Sequence, residues 1–164
     1  AAYLRRSDAG AIWLVDLPGQ LAMARRELEP AGLLSRVHFA PTDVRDPGAA
    51  FPEAVDAVWM SQFLVCFSLD EVESILRRAG EALRPRGSVW VLDTFWDRQR
   101  HDLAAFCLVH SSPYFTAVAN GNSKMYRAVD IERAAARAGL VLEGATDGLG
   151  LSHSLLQFRR RSSA

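Results

Sequence analysis

Cysteine is almost missing from this chain: Cys66 and Cys107 are the only two in 164 residues. Two thiols without a paired, metal-type spacing exclude a disulfide framework and a structural zinc site. They point to a reducing compartment, with the cytoplasm as the expected location. Charge of one sign is not in excess either, because 19 basic and 19 acidic residues cancel. Without a net positive field the chain has no general means of gathering nucleic acid or an anionic membrane surface, so a small molecule or another protein is the expected partner. Long apolar runs are also lacking, since VWVL and FLVCF fall far short of the roughly 20 residues that cross a bilayer as a helix. No basic-apolar signal segment, repeat or low-complexity tract is found, and the first residue is Ala rather than Met. What is there, 49% hydrophobic and 23% charged residues, suits one soluble globular domain over residues 1–164.

Periodicity supplies the elements. AIWLVD (residues 11–16) is a short strand ending in a carboxylate, and LPGQLAMARREL after it places Leu17, Leu21, Ala24 and Leu28 on one helical face. RVHFA (36–40) is a second strand, followed by the turn-rich loop APTDVRDPGAAFPE. DAVWMSQFLV (56–65) reads as a third strand, buried on both faces because it is almost continuously apolar. From Leu69, the residues Val72, Ile75, Leu76, Ala79 and Leu83 recur at helical spacing opposite Glu73, Arg77, Arg78 and Glu81, with Ser68 or Asp70 as N-cap. RPRG ends that helix and SVWVLDTF is the next strand. A helix is expected over 97–115, a loop at NGNSKMY, and a short helix over 130–138 closed by Gly139. Two last strands, LVLEGAT and SLLQFRRR, flank the turn TDGLG. Strands alternating with helices predict an α/β fold, a doubly wound, mostly parallel sheet with an antiparallel edge hairpin.

Candidate chemistry begins at Asp16. A carboxylate at the carboxyl end of a strand, just before a helix, can accept hydrogen bonds from both hydroxyls of a nucleotide ribose; the plain alternative is a solvated strand-end acid. The phosphate or cofactor glycine loop normally lies about 20 residues before such an acid. Only fifteen residues precede Asp16, and none forms a G-x-G pattern. The loop and its strand are therefore expected upstream of Ala1, with AAYLRRSDAG as the tail of the helix that follows them. Asp43, beside Pro41 and Thr42, is a second acid whose ordinary role would be a loop cap. Cys66 has apolar neighbours and no nearby His, which fits a buried structural thiol better than a nucleophile. His110 and Cys107 share a helix face with Phe106 and Tyr114, and His38, His101 and His153 have no metal-ligand spacing. Arg159, Arg160 and Arg161 read as a solvated strand end.

Taken in order, VDLPGQLAMAR, the TD after RVHFAP, DAVWMSQFLVCFSLDEVESIL and ALRPRGSVWVLDTF resemble the class I S-adenosylmethionine-dependent methyltransferases. More narrowly, ALRPRGSVWVLD is similar to the L-x-P-G-G-x-L-x-I-x-E segment of the plant-type and bacterial small-molecule O-methyltransferases, and NSKMYRAVDIERAAARAGL to their late GG-x-x-R-T-x-x-E-W helix. The resemblance implies a Rossmann-like methyltransferase fold that lacks here its first strand and glycine loop, as well as the N-terminal dimerisation domain such enzymes carry. It also implies S-adenosylmethionine as cofactor, with Asp16 on the ribose, Leu17 beside the adenine, Asp43 accepting from the adenine amino group and Val44 flanking the ring. Ser61 falls at a cofactor-side position often occupied by Lys, and Phe106, His110 and Tyr114 fall near the acceptor pocket. FLVCFSLDE lies on the family segment L-H-D-W-S-D-E, whose His is the general base, and there the chain has Val65. An acidic acceptor needs no base, and His110 is the candidate substitute.

The expectation is therefore an O-methyltransferase acting on a small aromatic or polyketide-like hydroxyl acceptor, a homodimer at full length, with no metal, nucleic acid or membrane involved. Two other readings stay open: a non-catalytic binding or assembly protein that kept the fold, and a nicotinamide-dependent oxidoreductase.

Overall fold

The computed structural model describes residues 2–6, 10–118 and 122–161. Asn120 and Gly121 of the expected NGNSKMY loop lie outside the described residues. The chain divides into two compact units, Ala1–Pro52 and Glu53–Ala164.

The first unit runs α1 (Ala2–Arg6), β1 (Ile12–Asp16), α2 (Pro18–Leu28) and β2 (Val37–Pro41). β1 and β2 pair in parallel from Ile12 opposite Val37 to Asp16 opposite Pro41. Parallel neighbours require a crossover, which α2 supplies, and Pro18 opens that helix where its missing N–H costs nothing. Leu4, Leu28, Leu33 and Val37 form the core, with Ile12, Leu14 and Phe39 packed against it. The guanidinium of Arg36 donates to the Leu4 carbonyl at 2.6 Å and ties α1 down.

The second unit contains β3 (Val55–Ser61), α3 (Leu69–Ala82), β4 (Leu83–Asp93), α4 (Asp102–Val118), α5 (Ala128–Arg137), β5 (Leu140–Leu149) and β6 (His153–Arg160). Its sheet has the order β3-β4-β6-β5, with β3 and β4 parallel and the two pairs involving β6 antiparallel. One face of β4, Val89, Val91 and Asp93, is buried together with its β6 partners Phe158, Leu156 and Ser154. α3 packs on β4 and on α5, and α5 packs on β5. The apolar positions expected to recur along α3, Val72, Ile75, Leu76 and Ala79, are fully buried. Gly80 lets that helix come close: a Cβ there would lie 2.9 Å from Leu140. Strands, helices, parallel pairs and antiparallel edge together make the mixed α/β architecture that the periodicity predicts.

Three boundaries differ from expectation, each for a local reason. β3 stops at Ser61 rather than Val65, because Gln62 takes the left-handed φ of 48° that an extended run cannot contain, and a 3-10 turn follows over Leu64–Cys66. Nor is β3 buried on both faces, since Met60 alone of its residues is fully buried. RPRG does not separate helix from strand but belongs to β4, as an irregular stretch where Arg86 has φ 70° and the register against β3 shifts; Pro is tolerated in a strand at such an irregularity. The helix expected over 97–115 starts at Asp102 and runs through Pro113 to Val118. Asp97 instead ends up in a 3-10 turn, where its Oδ1 accepts the Ala128 N–H at 2.7 Å and caps α5.

The start of α3 is a capping box. Glu71 N–H donates to Ser68 Oγ, and the Glu71 carboxylate accepts from the Ser68 N–H at 2.8 Å. Replacing Ser68 by Ala is expected to destabilise the protein by about 1 kcal/mol in urea unfolding. An unchanged midpoint would show that the box contributes nothing.

Candidate functional site

In the first unit, parallel pairing brings the ends of β1 and β2 together and with them four of the expected site residues. Asp16 is partly buried; its Oδ1 accepts the N–H of Leu17 at 2.8 Å, and its carbonyl accepts the Thr42 N–H at 2.9 Å. This fixes the carboxylate at the strand end with its second oxygen facing away from that bond. Leu17 is 44% exposed and Val44 is buried. Asp43 holds Arg45 through both oxygens: Oδ1 accepts the Arg45 backbone N–H and Nε at 3.0 Å each, and Oδ2 accepts Nη2 at 2.7 Å. The Arg45 guanidinium bonds, then its backbone N–H, hold the Asp43 carboxyl down to about 2, so it is an anion at any ordinary pH. A carboxylate oxygen accepts more than one bond, so Oδ2 of Asp43 still has capacity for an amino donor. A diol on Asp16 and an amino group on Asp43 suit an adenosine.

In the second unit the stretch Phe63 to Phe67 forms a corner held from one side. The Lys124 N–H donates to the Val65 carbonyl at 2.8 Å, and the Tyr126 hydroxyl donates to the Phe67 carbonyl at 2.7 Å. Ser123 hydrogen-bonds the thiol of Cys66. Burial, then the nearby Asp93 carboxylate, push that thiol up, so Cys66 is a packed thiol rather than an activated nucleophile. Burial also pushes the Tyr126 phenol up and keeps its proton on as the donor. Val65 carries no ionisable group, and Ser61, exposed at the end of β3, sits opposite Leu92 of β4.

Beside the corner lies a cleft of about 890 Å³, lined from α4 by Val109, Ser112, Pro113, Thr116 and Ala117 and from the other side by Leu69, Trp96 and residues 122–126. Phe106, His110 and Tyr114, expected at an acceptor pocket, are on another face of α4 and are not among the lining residues. Phe106 and His110 stack with ring centroids 3.8 Å apart, and His110 Nδ1 lies 2.8 Å from the Phe106 carbonyl. No metal-type cluster of His, Cys, Asp or Glu exists among the described residues, and none of their helices is long and apolar enough to cross a membrane.

One acid was passed over at the sequence level although the signal for it was the one that identified Asp16. VWVLD ends in Asp93 as IWLVD ends in Asp16, and each carboxylate accepts the next residue's N–H at 2.8 Å. Asp93, however, is only 2% exposed, and neither its Oδ2 nor the hydroxyl of its β6 partner Ser154 has a hydrogen-bond partner among the described residues. Burial pushes its carboxyl up to about 6, against the opposing pull of the Thr94 N–H and of His153.

Comparison with known proteins gives a consistent family. A family model described as the O-methyltransferase domain matches residues 9–141. Aclacinomycin 10-hydroxylase RdmB of Streptomyces purpurascens is 39% identical over 80 residues, which are 49% of this chain and 21% of that protein. Among solved structures, the S-adenosylmethionine-dependent methyltransferase SibL in its apo form superposes with a TM-score of 0.81 at 28% identity, over 98% of this chain and 46% of that one. The O-methyltransferase NcsB1 from neocarzinostatin biosynthesis, solved with S-adenosylmethionine and 2-hydroxy-5-methyl naphthoic acid, superposes with a TM-score of 0.74 at 20% identity, over 98% of this chain and 44% of that one. The chain thus spans less than half the length of these relatives.

The buried acid yields a pH test. Its folded-state value is raised above the ordinary 3.8, so the stability tied to the neutral carboxyl is complete below about pH 4 and is lost as the pH rises through about 6. Asp93→Asn cannot ionise, and is expected to match the wild type at pH 4 and to exceed it by about 2–3 kcal/mol at pH 8 in denaturant unfolding. A difference that does not change with pH would refute the buried ionisation.

Proposed function

The chain belongs to the O-methyltransferase domain family, and on that premise we propose that the protein methylates a hydroxyl of a small aromatic or polyketide-like acceptor, with S-adenosylmethionine as donor. The observation that carries this reading is the family match over residues 9–141 combined with the pair of acids at the ends of β1 and β2. Asp16 would hold the ribose diol through the oxygen not bonded to Leu17, Leu17 and Val44 would bracket the adenine, and Asp43 would accept its amino group. Ser61 belongs to the cofactor side in the same reading. When bound, the cofactor supplies an electrophilic methyl group on a positive sulfur. The chain's own contribution is to hold the acceptor oxygen in line with it, and orientation of this kind is worth several kcal/mol of barrier.

The cleft beside residues 64–68 supports a flat, apolar acceptor, because Val109, Pro113, Ala117, Leu69, Met125 and Trp96 give its wall a broad apolar part. The NcsB1 structure, solved with a hydroxynaphthoic acid, supports the same acceptor class. Phe106, His110 and Tyr114 lie on the exposed face of α4, outside that cleft. That face, with Leu103 at 71%, Tyr114 at 64% and Val118 at 62% exposure, also supports a homodimer. The cytoplasm remains the proposed location, since nothing in the cysteine usage requires an oxidising compartment. A second reading, hydroxylation of the acceptor, is favoured by one observation: the 39% identical relative is a 10-hydroxylase.

Incubating the protein with methyl-labelled S-adenosylmethionine and a panel of hydroxyaromatic acceptors separates these readings by product mass. A methylated product supports the first, and a hydroxylated product without methyl transfer overturns it. Asp16→Ala is expected to weaken S-adenosylmethionine binding by about tenfold or more in calorimetry, the worth of a lost charge-assisted hydrogen bond; unchanged affinity would remove Asp16 from the site. Val65→His should raise turnover most on weakly acidic acceptors, by up to about 10²-fold, whereas an equal effect on acidic and weakly acidic acceptors would show that position 65 does not take a base.

A further inference from the structure

The chain contains a single lysine, Lys124, among 19 basic residues. The fold places it at the cleft beside the corner that carries no base. Its backbone N–H is bonded to the carbonyl of Val65, 59 positions earlier, and its side chain lines the cleft.

The remaining polar side chains of the lining are largely committed elsewhere. The Ser68 hydroxyl is engaged with Glu71, Ser112 Oγ accepts the Met125 N–H, and the Thr116 hydroxyl is engaged with the carbonyls of Ser112 and Ser123. Ser123 is bonded to the Cys66 thiol and Tyr126 to the Phe67 carbonyl. The ammonium of Lys124 differs from all of these. The Asp130 carboxylate, which feels its charge, is already held by Arg127 through both oxygens at 3.0 and 2.8 Å, and Lys124 forms no ion pair among the described residues. Its Nζ lies 5.7 Å from the centre of the ring of Tyr126, another lining residue, within cation–π reach, and Lys124 is exposed. A mostly apolar cleft with one uncommitted cation fits a flat molecule carrying one anionic oxygen.

We propose that Lys124 binds the acceptor's ionised oxygen and so replaces the general base that Val65 cannot be. This rests on the methyl-transfer reading above. The hydroxyl proton leaves to solvent when the acceptor binds, and the ammonium holds the resulting oxyanion. That oxygen forms the new O–C bond as the methyl–sulfur bond of the sulfonium donor breaks, with its electron pair left on sulfur. No proton then remains to be removed, so a base at position 65 is unnecessary. Lys suits the task because it is a compact point charge on a flexible stem that reaches a single oxygen, whereas Arg presents a planar fork matched to two.

The test reads ionisation directly and needs no cofactor. para-Nitrophenol absorbs in the visible only as its phenolate, and it is titrated with and without an excess of the protein. The wild type is expected to lower the pH midpoint of the bound phenol by about one to three units, as an opposite charge within about 4–6 Å does. Lys124→Met should abolish that shift while leaving the melting temperature unchanged, and Lys124→Arg should keep most of it. The proposal is overturned if the wild type does not bind the phenol, or if Lys124→Met shifts it as the wild type does. The two readings fail separately. A lysine-dependent shift without methylated product sinks methyl transfer alone, and methyl transfer at equal rate in wild type and Lys124→Met sinks the role of Lys124 alone.

Discussion

The second unit depends on a staple between two segments far apart in sequence. Residues 63–67 turn away from β3 at Gln62, and the 3-10 turn satisfies the carbonyls of Phe63 and Leu64 but not those of Val65 and Phe67, a situation that costs about 1 kcal/mol or more per buried group if left open. Lys124 and Tyr126 close those two carbonyls, and Ser123 reaches the thiol between them. The corner's shape is therefore set by the segment that also forms one wall of the cleft. The end of α4 is joined to the same segment through Ser112 and Thr116. Position 65, the cleft and the chain's single lysine are consequences of one hydrogen-bonded seam.

Burial decides the chemistry of the two strand-end acids. Asp16 and Asp93 follow similar apolar runs and accept the next residue's N–H in the same way. Asp16 lies partly open at the end of a two-stranded parallel pair, where a carboxylate stays accessible. Asp93 faces the side of the sheet lined by Val89 and Val91, beside Ser154, which like it lacks a hydrogen-bond partner among the described residues, and burial pushes its carboxyl up to about 6. Asp43 is the opposite extreme, an exposed acid kept ionised by Arg45.

Much of the fold was legible because its segments carry strong local signals. The amphipathic run of α3 with Ser68 as its cap, the crossover from IWLVD through α2 to VHFA, and the antiparallel pairing of the last two strands agree with their pattern, although β5 runs on through TDGL to Leu149 and the turn falls at 150–152. Misreadings arose where an apolar run hid a backbone decision. MSQFLV continues the composition of a strand, yet Gln62 turns left-handed, and composition does not reveal the sign of φ. α4 is apolar almost all round, so periodicity could not say which face meets the cleft; the structure gives it the Val109 and Pro113 face and leaves Phe106, His110 and Tyr114 outside. Similarity of ordered motifs identified the family.

Sequence alone determined the class of fold, the family, the acids at the ends of β1 and β2, and the absence of an ionisable group at position 65. All of these rest on residue identity and on neighbours within about ten positions, where helical and strand periodicities operate. The bond from Lys124 to Val65, the burial that raises the Asp93 carboxyl, and the face of α4 that lines the cleft were decided only by tertiary structure. Each is a relation between segments separated by tens of residues, and no local pattern encodes which distant carbonyl an N–H will meet or how deeply a carboxylate will be buried.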